Sequence, residues 1–179
     1  MDFDKRRDCL KILKTIGYQV GAGFMVGLSV QTSADLVEDL CFLQELQPEM
    51  VGIGPFIPHS ETPLNQEKGG TVEDTLIMLA LTRLLIPDVL LPATTALGRL
   101  DPQGRELALQ VGANVVMPII TPSNVRKAYQ LYDNKICQED EPDQCRFCIE
   151  KRINSVGFVV DLGRGDSPRC YHDLKDPRT

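Results

Sequence analysis

Met50-Val51-Gly52-Ile53-Gly54-Pro55-Phe56-Ile57 is apolar throughout and lies between two stretches patterned as helices. A strand that is apolar on both faces belongs in a parallel sheet covered by helices. Before it, Thr32 stands as an N-cap with Asp35 three residues on, a near-match to a capping box. Leu36, Val37, Leu40, Cys41 and Leu43 then mark the buried stripe of a helix. After it, Thr71 caps a helix whose body, Leu76–Ile86, is apolar almost all round, which predicts cover on both sides. Pro87 ends that helix, and Val89–Leu91 reads as the next strand.

The alternation extends in both directions. Upstream, Cys9, Ile12, Leu13 and Ile16 recur at helical spacing from Asp4 to Ile16, and Gly17 stops the run before a strand, Tyr18–Val26. Downstream, Asp101 and Pro102 begin a helix carrying Leu107 and Val111 that stops at Gly112, and Ala113–Met117 follows as strand. Pro122 opens a last helix to Leu131. Helix and apolar strand in strict turn mean α/β, because right-handed crossovers lay each helix over the sheet that it links. The strands end in polar or special residues, as at the catalytic mouth of a (β/α)8 barrel, so half of such a barrel is favoured over an open doubly wound sheet. A full barrel takes about 250 residues; the chain has 179.

Composition sets milder bounds. A hydrophobic content of 42% and a charged content of 25% suit a soluble globular domain with one core. A net charge of −6 without a basic stripe argues against nucleic acid. Leu76–Leu81, the longest apolar stretch, is too short to span a bilayer, and Asp2–Asp8 is charged rather than signal-like, so a cytosolic location is expected. Thiols stay reduced there, and the six cysteines read as core residues, metal ligands or reactive groups. Cys9 and Cys41 lie on helix stripes and are expected to be small buried hydrophobes. Cys137, Cys145 and Cys148 form C-x7-C-x2-C in the polar loop Ile136–Glu150. That spacing allows zinc or an iron–sulfur cluster, with Cys170, His172 or a small molecule as a fourth ligand.

Other candidates sit at strand ends. The hydroxyls of Thr94 and Thr95 would point into the mouth and hydrogen-bond a polar ligand without adding charge. Met50 and Met117 lie on strands, either as core residues or as thioethers beside a ring or sulfonium. His59, after Pro58, reads as a solvated loop histidine with the alternative of an acid or base.

The runs Gly17–Gly27, Met50–His59, Leu91–Gly98 and Gly112–Pro118, in that order and followed by Tyr132-Asp133-Asn134-Lys135-Ile136-Cys137, resemble the radical S-adenosylmethionine (SAM) maturases of iron-only hydrogenase, the HydE type. Gly70–Pro118 is also similar to the C-terminal region shared by biotin synthase and thiamin-pathway radical enzymes. The resemblance implies the C-terminal half of a (β/α)8 TIM-type barrel, about four βα units over residues 1–135, with a cysteine loop at 136–150 and an irregular tail at 151–179. It implies a 5′-deoxyadenosyl radical used on a small precursor of the hydrogenase cofactor. Arg6 would pair with the SAM carboxylate, and Met50 and Tyr129 would pack against bound SAM. Thr94, Thr95, Met117 and Tyr132 would line the substrate cavity, and Cys137, Cys145 and Cys148 would ligate an auxiliary iron–sulfur cluster.

The C-x3-C-x2-C motif that holds the radical SAM cluster does not occur here. The chain alone is therefore expected to be inactive, a fragment partnered by an N-terminal half or by other hydrogenase maturation proteins. A biotin synthase-type enzyme and a non-enzymatic metal-binding fragment are the alternatives. Unpaired strand edges predict association or a partly molten state for the isolated chain. Gly163-Arg164-Gly165-Asp166-Ser167 spells an adhesion motif, which a cytosolic setting makes incidental.

Overall fold

The computed structural model describes residues 2–119, 121–122, 124–125, 128 and 142–169, side chains excepted at 142–145. Helix α1 (Phe3–Thr15) leads to β1 (Gly21–Val26), α2 (Ser33–Leu46) to β2 (Met50–Pro55), and α3 (Val72–Leu85) to a third extended segment. Short helices α4 (Thr95–Leu100) and α5 (Gly104–Gln110) lead to a fourth, and α6 (Pro142–Ser155) follows. Strands β1 and β2 pair in parallel from Gly21 opposite Met50 to Val26 opposite Pro55. Parallel bridges then join Met50 to Leu90 and Pro92 to Val115. The lateral order follows chain order, with helices between successive strand positions, and the fold is α/β around a small parallel sheet.

Local chemistry sets most of the boundaries. The Thr32 hydroxyl accepts from the Asp35 N–H and the Asp35 carboxylate accepts from the Thr32 N–H, completing the capping box. The Thr71 hydroxyl likewise accepts from the Asp74 N–H. Gly17 stops α1 with φ of 90°, a conformation that glycine adopts without strain. Val51, Ile53, Leu79, Val89, Leu91 and Leu97 are each 0% exposed, and they form the core between the sheet and the helices.

The structure corrects several expectations. α1 buries no residue, and Cys9 and Cys41 are exposed rather than core residues, because nothing among the described residues covers the outer side of β1. α3 is covered on one side only: Thr75, Met78, Leu79 and Thr82 are buried, while Ile77, Leu81 and Leu84 reach solvent. Val89–Leu91 and Ala113–Met117 are extended segments held by single bridges, since each has one well-paired neighbour at most. The helix expected from Asp101 begins at Gly104, after a turn in which the Asp101 carboxylate accepts from the Gln103 N–H. Cys145 and Cys148 lie on helix α6, where a loop was expected. Arg152 pairs with Glu106 and donates to the Pro102 carbonyl, which pins α6 to α5. The helix expected over Pro122–Leu131 lies largely outside the described residues.

Below the sheet, Lys14 Nζ lies 2.8 Å from Glu49 Oε1, and the Val20 N–H donates to Glu49 Oε2 at 2.7 Å. Burial pushes the Glu49 carboxyl up, but the bonds from Lys14 and Val20 outweigh it and hold the group below the ordinary glutamate value. A carboxylate held down in the folded state stabilises the protein above its ordinary value, and that contribution is lost as pH falls through the lowered one. Glu49→Gln is expected to cost about 2 kcal/mol at pH 7. Below about pH 4.5 the difference from the parent chain shrinks, as urea titrations at several pH values would show.

Candidate functional site

Glycine alternates along the two named strands, and period two sends alternate positions to opposite faces. Val51 and Ile53 face the helices and are fully buried; Met50, Gly52 and Gly54 look the other way, paired with Gly21, Gly23 and Met25 of β1. That second face is bare backbone at four of its six strand positions, with Met50 at one end and Met25 at the other. A methyl group at Gly52 would meet nothing within 4 Å. One at Gly23 would stand 1.9 Å from the Gly52 carbonyl oxygen, so glycine there lets the two strands approach.

Thr94 stands over this face where the strands end. A Cβ on Gly54 would lie 3.2 Å from Thr94 Oγ1. Thr94 is the N-cap residue of α4, yet its side chain makes no capping bond, and Oγ1 is buried with no hydrogen-bond partner among the described residues. A buried hydroxyl without a partner is costly, and a polar ligand on the glycine face would satisfy it. Thr95 opens α4, and Met117, 55% exposed, ends the fourth extended segment at the same end of the sheet.

The loop between β2 and α3 folds back over that end. The Gly70 N–H donates to the Phe56 carbonyl, and the Phe56 N–H donates to the Val26 carbonyl. The Gly27 N–H donates to Gln31 Oε1 while Gln31 Nε2 donates to the Met25 carbonyl, so the turn after β1 is closed as well. In the loop, His59 Nδ1 accepts from the Glu61 N–H, which places the neutral ring's proton on Nε2.

The remaining expected residues are not brought to this place. Arg6 lines a groove of about 830 Å³ along the free edge of β1, opposite Asp35, Glu38 and Asp39 of α2. Burial, and then the charges of Asp35 and Glu38, push the Asp39 carboxyl above its ordinary value. Met50 opens β2 on the same face as Gly52 and Gly54 but at the end away from Thr94, where it lines a cleft with Leu90, Asn114 and Phe158. Cys148 is exposed on α6 and Cys145 precedes it by three positions, a spacing that puts two positions on one helical face. Tyr129, Tyr132 and Cys137 lie outside the described residues. Among the described residues, no three His, Cys, Asp or Glu side chains gather as a metal site.

Gly54 was missed as a site residue, although glycine at alternate positions, Gly21 and Gly23 and again Gly52 and Gly54, signals a strand face with little side-chain cover. No helix among the described residues is long and apolar enough to cross a membrane.

No family model matches the chain. Over 96% of its length it is 54% identical to the FeFe hydrogenase maturase subunit HydE of Thermotoga maritima, covering 49% of that protein. It is 28% identical over 87% of its length to the 3-methylornithine synthase of Methanosarcina barkeri, covering 43% of it. A biotin synthase of Lawsonia intracellularis is 30% identical over 64% of the chain, with 36% of the relative covered. The chain thus spans about half the length, or less, of the curated relatives that it matches.

Proposed function

We propose that this chain, related along nearly all its length to about half of a HydE-type maturase, is part of a radical SAM enzyme that matures the active-site cofactor of iron-only hydrogenase. The observation that carries the reading is 54% identity over 96% of the chain to the Thermotoga maritima HydE. A biotin synthase-type activity has the weaker support of 30% identity over 64% of the chain. The parallel, sequential order of the strand positions is the arrangement that the C-terminal half of a (β/α)8 barrel would have.

In this reading SAM bound beside a reduced iron–sulfur cluster supplies a 5′-deoxyadenosyl radical, while the protein binds and orients. Arg6, planar and always charged, holds the SAM carboxylate, and Met50 and Tyr129 pack against the rest of it. Thr94 and Thr95, with Met117 and Tyr132, line the cavity of a small-molecule substrate. The Thr94 hydroxyl fits that task, and the open space at Gly52 on the same face leaves room for a ligand. Cys145 and Cys148, three positions apart on α6 with Cys148 exposed, would ligate an auxiliary iron–sulfur cluster together with Cys137. The radical SAM cluster itself would sit on cysteines that this chain does not contain. The remaining half of the enzyme and other maturation proteins are its proposed partners, in the cytoplasm.

The test is a chimaera in which this chain replaces the matching stretch of the Thermotoga maritima maturase, reconstituted anaerobically with iron and sulfide. Release of 5′-deoxyadenosine from SAM is the expected result, and Thr94→Val is expected to lower substrate-dependent turnover about ten-fold, the effect of one lost hydrogen bond to a bound group. A folded, iron-loaded chimaera that cleaves no SAM would overturn the reading.

A further inference from the structure

Beyond α6 the chain turns at Gly157, where φ is 86°, and runs back beneath the sheet. Phe158, Val159 and Val160 line the lower cleft, about 560 Å³, together with Met50, Leu90 and Val115 from three successive strand positions. The segment then reaches the residues that precede β1. Gln19 Nε2 donates to Asp166 Oδ1 at 2.9 Å, and Gln19 Oε1 accepts from the Ser167 N–H at 3.0 Å, so one amide side chain exchanges two bonds with the segment. Arg169 donates to the carbonyl and to the side-chain oxygen of Gln47, at 2.8 and 3.0 Å. Ser167 is 0% exposed between these two anchors.

We propose that Phe158–Arg169 is a strap that closes the lower end of the sheet, with Gln19 as its clasp. Gln19 leads into β1 and Gln47 ends α2 just before β2, so the strap ties together the lower ends of the first two strands and passes under the others. Lys14 donates to that same Gln47 carbonyl and binds Glu49, which extends the clasp into α1 and the start of β2. The Gly163–Ser167 motif has its explanation here. Gly165, at φ 75°, makes the turn; Asp166 is held by Gln19 and by Arg164 at 2.9 Å; and Ser167 is small enough to be fully enclosed. A carboxylate so engaged is not presented to an adhesion receptor. With the strap in place, the glycine face is reached from the Thr94 end, and Met50 is shielded from below.

Gln19→Glu turns the clasp against itself, because a carboxylate then faces Asp166; adding Asp166→Asn restores a donor and acceptor with the polarity reversed. In the full chain, amide hydrogen exchange of residues 158–169 is expected to quicken about ten-fold in Q19E and to return within about two-fold of the parent in Q19E/D166N. Peroxide oxidation of Met50 is expected to rise about five-fold in Q19E while that of Met117 stays unchanged. Unchanged exchange in Q19E, or no recovery in the double variant, overturns the clasp. Faster exchange with unaltered Met50 oxidation overturns the closing role. Should Q19E fail to fold, Asp166→Ala removes the strap's side of the clasp alone and is read by the same two measurements.

Discussion

Gly70→Ala is expected to lower stability by about 3 kcal/mol, the upper end of what overpacking a tight contact costs. A methyl group there would sit 2.1 Å from the Val26 carbonyl oxygen and 3.2 Å from the Phe56 nitrogen, both backbone atoms that cannot swing aside. The neighbouring contact is as close: a methyl on Gly27, at φ 89°, would lie 2.2 Å from the Gly70 Cα. The two glycines let the β2–α3 loop settle on the strand ends beside the candidate site. Loss at Gly70 would therefore unseat the loop as well as cost stability. Gly52→Ala is the control, since nothing lies within 4 Å of its added methyl, and its urea midpoint should move little. Equal midpoints for the two variants would mean that the loop does not pack on the strand ends as described.

Leu91→Ala is expected to cost about 3 to 4 kcal/mol, within the range for emptying a leucine site in a closed core. Leu91 is 0% exposed in the cluster that includes Ile53, Leu79 and Leu97. Its backbone matters too. The Leu91 N–H donates to Asn114 Oδ1 at 2.7 Å, and its carbonyl accepts from the Asn114 N–H at 2.9 Å. These bonds hold the third and fourth extended segments together where each has a single bridge, so the cavity would also loosen the segment that ends in Thr94. Leu84→Ala, at a side chain 77% exposed, should shift stability by less than about 0.5 kcal/mol. Thermal unfolding of the two variants in parallel distinguishes a packed third segment from a loose one.

The amino-acid sequence alone determined what depends on neighbours a few residues away. Thr32 with Asp35, Thr71 and Gly17 each specify a helix boundary through one local bond or one backbone conformation, and all three stand as expected. The apolar run through Val51 and Ile53 specified a strand covered by helices. Tertiary structure alone decided whether an apolar position is covered. Cys9, Ile12 and Ile16 repeat at the same spacing as a buried stripe, yet they are exposed because burial requires a partner surface that helical periodicity does not supply. Pairing was likewise decided at a distance: Val89–Leu91 and Ala113–Met117 have strand composition, but a ladder forms only where a neighbour runs alongside for its whole length. The clasp joins Gln19 to Asp166 across 147 residues, and the Thr94 hydroxyl meets Gly54 only because two strands lie side by side. Local propensity acts through bonds within a turn of the chain, whereas cover, strand pairing and the site arise from contacts that exist once the chain has folded back on itself.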